Sequence, residues 1–160
     1  MMVDKKEEID LAIHKKLAVE YFNKTWDYLE KGDRTPEDDD AMVDCVHASR
    51  YHWRHLIAHG EGGSVNHARG DWIISRVYAV LKKAELAIYY GEKSLQICQK
   101  NNIGDFDLAY GFEALSRAYA VAGKKIDAEK YFQQAKEAGD NIAEKESKDW
   151  FFKDLKTIEI

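Results

Sequence analysis

The hexapeptide Ser75-Arg76-Val77-Tyr78-Ala79-Val80 returns as Ser116-Arg117-Ala118-Tyr119-Ala120-Val121, 41 residues further along the chain, and Ala87 returns as Ala128 at the same offset. A repeat of this length is one supersecondary unit that cannot bury its apolar face alone, so the two copies must stack on each other. The unit reads as a helix, a turn and a second helix. That pattern constrains the chain to an all-α fold of stacked antiparallel hairpins.

Glycine, proline and capping residues divide 160 residues into seven helical segments. The first spans about Lys5 to Lys31 and closes at Gly32-Asp33. The second starts at Thr35-Pro36-Glu37-Asp38, where a capping hydroxyl, a Pro at the first helical position and early acids coincide. Gly60-Glu61-Gly62-Gly63-Ser64 breaks the periodicity, because three glycines in four residues cost too much backbone entropy to remain helical. Further helices are expected over about 66–81, 84–100, 105–123 (capped by Asp105), 126–138 (stopped by Gly139) and 143–158. This gives a single domain over 1–160: an amino-terminal hairpin over 1–59, two repeats over 66–138 and a capping helix over 143–158.

The second copy resembles the tetratricopeptide repeat. Phe112, Leu115, Tyr119, Gly123, Ala128, Phe132 and Ala135 fall at that family's spacing of large and small packing residues. The first copy matches at Ile74, Tyr78 and Ala87 but carries Gly91 where an aromatic is usual and Ser94 where Ala is usual. The 41-residue offset exceeds the family's usual 34, with the excess placed in a longer second helix and the turn through Asn101 to Gly104. The resemblance implies a short right-handed superhelix whose concave groove is lined by the first helix of each hairpin. It carries Arg69, Trp72, Arg76, Ala79 and Val80 from the first copy, and Tyr110, Glu113, Arg117, Ala120 and Val121 from the second, into that groove.

Three Arg and one Glu give this groove set a charge of +2, against −5 for the whole chain. An anionic partner is the expectation, either an acidic or C-terminal carboxylate peptide or a small phosphorylated or carboxylated molecule held by guanidinium forks. The competing reading is internal, with Asp71, Glu85 or Glu113 pairing the arginines and merely joining helices. The overall negative charge argues against nucleic acid as partner. No segment has the length and apolarity of a signal peptide or a membrane span, so a cytoplasmic chain without membrane contact is expected. Cys45 and Cys98, 53 positions apart, read as buried reduced thiols.

Five of six histidines lie between positions 47 and 67. His52, His55 and His59 fall within about 60° of one another around a helix, a face that could chelate Zn²⁺ or Ni²⁺ with His67 delivered by the glycine loop. The zincin arrangement is absent, no cofactor motif is present, and no nucleophile is matched to a base, so a metal-dependent or His-assisted enzyme is the second reading behind a binding module. A sharper expectation has Arg50, His52, His55, Asn66 and Arg69 converging with Trp72 in one polar pocket. At the carboxyl end, Phe151, Leu155 and Ile158 form a sealing stripe. Trp150 and Phe152 on its flanks offer a homodimer patch, the third reading being a homo-oligomeric structural protein.

Overall fold

A computed structural model describes the backbone of residues 5–160 and the side chains from Asp10 onward. Residues 1–4 of the expected domain lie outside the described residues. Seven α-helices follow one another: α1 (Lys5–Glu30), α2 (Pro36–Ala58), α3 (Ser64–Val80), α4 (Ala84–Lys100), α5 (Asp105–Val121), α6 (Lys125–Asp140) and α7 (Lys145–Leu155). The pairs α1–α2, α3–α4 and α5–α6 pack as hairpins, α4 lies against α5, α2 against α3, and α7 closes the stack on α5 and α6. No helix among the described residues is long and apolar enough to cross a membrane.

The repeat is visible as a repeated bond. Ser75 donates its hydroxyl proton to the Ala87 carbonyl at 2.7 Å, and Ser116 does the same to Ala128 at 3.0 Å, both 12 residues ahead. Each bond satisfies a buried hydroxyl while drawing the two helices of its hairpin together over the small residue that follows the turn. Ala79, Ala87 and Ala118 form one buried cluster at the joint between hairpins. Ala79, expected in the groove, is therefore interface: an alanine there lets the backbones approach.

The turns of the two copies share a backbone conformation but not a sequence. Lys82 occupies the left-handed region (φ +59°) where the second copy has Gly123 (φ +71°). The Thr35 hydroxyl caps α2, with Asp38 returning the bond to the Thr35 amide, as the sequence predicts. Asp105 departs from expectation: its carboxylate accepts from the Ala143 amide at 3.1 Å, tying the start of α5 to the α6–α7 link. Gly139 does not stop α6 but lies within it. A Cβ there would sit 2.3 Å from Phe151 Cε1, so the missing side chain is the socket for the ring that anchors α7.

Candidate functional site

The first helices of the hairpins, with α7, leave a groove between them. On α1, Phe22, Trp26 and Leu29 share a face. On α3, Trp72 stands one ring away from Trp26 (centroids 5.8 Å apart). On α5, Tyr110 meets Trp72 edge-on at 5.0 Å and Phe106 at 4.6 Å. Two cavities, of about 430 and 460 Å³, share Trp26, Trp72, Phe106 and Tyr110. A third, of about 140 Å³, continues past Phe22 and Arg69 toward Trp53 and Asn66. The lining interleaves aromatic rings with polar and charged side chains, a mixture that suits a ligand-sized recess.

The arginines among those polar groups are already paired, whereas the buried Trp72 indole N–H has no partner among the described residues. Arg69, 51% exposed, makes a two-pronged contact with Asp107 at 2.6 and 3.0 Å. Arg76 and Arg117, which occupy equivalent positions in the two repeats, converge on one carboxylate: Glu113 accepts from Arg76 Nη1 at 3.0 Å and from Arg117 Nε at 2.7 Å. Asp154 of α7 adds a contact to Arg76 at 3.6 Å and accepts the Tyr110 hydroxyl at 2.8 Å. Burial first, and the Asp154 charge second, push the Tyr110 pKa up, so the phenol stays a donor. The excess of +2 expected of the groove, which already counts Glu113, is thus cancelled by Asp107 and Asp154. Of the internal partners foreseen, Glu113 holds two groove arginines, Asp71 holds Arg50 instead, and Asp107 and Asp154 were not foreseen.

The single polar pocket around the glycine loop does not form. Arg50, 5% exposed, points into the α2–α3 interface and donates from Nε to Asp71 at 2.9 Å, while its terminal nitrogens lack partners. Asn66 is spent on the helix start, its side-chain oxygen accepting the Gly63 amide at 3.1 Å. His52 and His55 face the other way, onto α1. His14, which sequence spacing did not single out, meets His52 there with the two Nδ1 atoms 2.8 Å apart, and its ring stacks on His55 at 3.8 Å. His59 stacks on His55 at 4.3 Å. Stacked rings carry their lone pairs side by side, and among the described residues no group of three or more His, Cys, Asp or Glu is placed to hold a metal ion. His67, the proposed fourth ligand, lies on α3 with its Nε2 3.7 Å from Asp71.

Trp150 and Phe152 part company as well. Trp150 is 55% exposed at the rim of the groove, with Lys153 Nζ 4.7 Å from its ring, whereas Phe152 packs against Gly139 and Phe151 in the α6–α7 core. Both cysteines are buried and free, and burial pushes the Cys98 thiol up to about 11, so it is a core group rather than a nucleophile. No family model, curated protein or solved structure matches the chain.

Proposed function

We propose that the chain is a tetratricopeptide-like interaction module whose groove takes a peptide segment bearing apolar and aromatic side chains. The observation that supports this most directly is the pair of open cavities sharing Trp26, Trp72, Phe106 and Tyr110. Apolar area left in a recess is the favourable term a partner can recover, at about 25 cal/mol per Å². The groove's α3 wall runs from Asn66 to Val80, about 21 Å at 1.5 Å per residue, which suits roughly six residues of extended chain.

The paired arginines change the expected partner from the anion suggested by sequence to a segment of low charge. Arg69 and Arg76 serve to orient backbone carbonyls while Asp107 and Asp154 hold their guanidinium planes. Affinity should then respond weakly to salt, unlike binding driven by free cations.

The test is selection of phage-displayed heptapeptides on the folded protein, followed by affinity measurement for one selected peptide. Trp26→Ala should weaken it at least about tenfold, as for an aromatic anchor, while Ile126→Ala, on the exposed face of α6, should not. No enriched peptide, or equal binding by a folded Trp26→Ala variant, would sink the proposal.

A further inference from the structure

We propose that the imidazole stack of His14, His52, His55 and His59 is a proton-operated clasp that sets how firmly α1 closes over the groove. The argument begins with how α1 is held. It packs chiefly on α2 and reaches α3 through the Trp26–Trp72 contact. At the closed end of the α1–α2 hairpin, Lys31 pairs with Asp38 at 2.6 Å and Arg34 pairs with Asp39 at 2.8 Å while also donating to the Tyr28 carbonyl. In the middle, Ser49 donates to the Ala18 carbonyl at 2.7 Å. At the open end, the one polar link between the two helices among the described residues is His14 to His52.

That link demands a particular protonation state. With both Nδ1 atoms 2.8 Å apart, one must carry a proton and the other a lone pair. Protonating both rings turns the bond into two opposed N–H groups. Protonating His14 and His55 places two cationic rings face to face at 3.8 Å, and His59 adds a third at 4.3 Å from His55. Around them stand Tyr21 of α1, 6.3 Å from His52, and Tyr51 of α2, 5.5 Å from it. Asp10 of α1 is the acid that acts on His55, opposing the neighbouring imidazoles. Among the described residues Asp10 is the one carboxylate that acts on His55, too little for four imidazolium rings, so charging the stack drives α1 from α2 at the end where His14 to His52 is the one polar link described. α1 then pivots as one rod about its closed end, releasing the Ser49 to Ala18 bond and carrying Phe22 and Trp26, which lie between that bond and Lys31. The geometry is supported by the direction of the His52 and His55 pKa values, held down by partial burial first and by His14 second.

The motion of α1 is independent of any ligand, while its effect on binding rests on the groove reading above. The experiment is hydrogen exchange on the full chain at about pH 7.5 and 5.5, which bracket ordinary histidine titration. Corrected for intrinsic rates, protection of amides 14–26 in the wild type should fall at least about tenfold more than that of α5 on acidification. In His14→Phe/His55→Phe, which keeps stacked rings without titratable nitrogen, α1 and α5 should change together. His47 and His67 remain in that variant, so general acid loosening is controlled. If the double variant does not fold, His14→Gln alone serves, with the same expectation.

Equal loss of protection in α1 and α5 of the wild type overturns the clasp, as does an undiminished α1 response in the folded variant. The phage-selected peptide, titrated at both pH values, separates the two ideas. Affinity falling about tenfold at pH 5.5 in the wild type but not in the variant supports control of the groove. Exchange that responds while affinity does not overturns that control. Failure to select any peptide removes the groove reading and leaves the exchange result to decide the clasp.

Discussion

Replacing Glu113 by glutamine should be among the most costly single changes in the molecule. The carboxylate is fully buried, and its Oε1 accepts from Arg76 and Arg117, each only 14% exposed. Glutamine keeps the shape and one acceptor oxygen but removes the negative charge, leaving two cations on one neutral amide. Breaking a buried pair by removing one partner costs about 3–5 kcal/mol, because the other charge stays desolvated. Each arginine keeps a secondary contact: Arg76 has Asp154 at 3.6 Å, and Arg117 has the Asp154 carbonyl at 3.1 Å and the Thr157 hydroxyl at 2.9 Å. The lower end, about 3 kcal/mol, is therefore the expectation. At about 2–4 °C per kcal/mol for a chain of this size, the melting midpoint should fall by about 6–12 °C, read by calorimetry near neutral pH. The triple variant Arg76→Met/Glu113→Leu/Arg117→Met, which removes all three charges together, should recover most of the loss. A midpoint for Glu113→Gln within about 2 °C of wild type would refute the reasoning, since it would mean water reaches these guanidinium groups.

Acidification should destabilise the domain by a known sign. His47, His52, His55 and His67 all have folded pKa values lowered chiefly by burial, so the unfolded chain binds more protons. Stability is then complete above about pH 6.5 and is lost as pH falls from there through the folded values, which urea titrations across the range would record. Gly139→Ala should lower stability by about 2 kcal/mol despite alanine's better helix propensity, because its Cβ meets Phe151; a gain in thermal midpoint would contradict the socket. Lys82→Gly should raise stability by about 0.5–1 kcal/mol by relieving φ +59°, whereas Gly123→Lys should lower it by a similar amount in chemical denaturation.

Helix number and hairpin pairing were legible in the sequence because they depend on local signals: the Thr35 cap, the glycine loop and the repeated hexapeptide each act within a few residues. Much of the site was not, for a physical reason. Which carboxylate meets an arginine depends on how neighbouring helices rotate and slide, and Asp107 and Asp154 lie 38 and 78 positions from Arg69 and Arg76. Spacing placed His52, His55 and His59 on one face but could not say that the face meets α1, and so it overlooked His14. Gly139 was misread because glycine serves equally as a stop and as a socket, and only the partner ring distinguishes them. Trp26 did leave a signal, four residues beyond Phe22 on the same helical face.

The repeated serine-to-carbonyl bond has a further consequence. Ser75 to Ala87 and Ser116 to Ala128 are the same fastening at the same separation in sequence, and most of α4 and the turn that follows it lie outside them. The fastening is thus separate from the spacer, as in a chain whose links share a clasp but differ in length. Such a chain can be lengthened by splicing: a duplicate of residues 84–124 would bring its own serine, its own turn and its own small residue at the joint. Each added link would extend the aromatic wall by one helix, so the reach of the groove is a quantity that gene duplication could change without redesigning any contact.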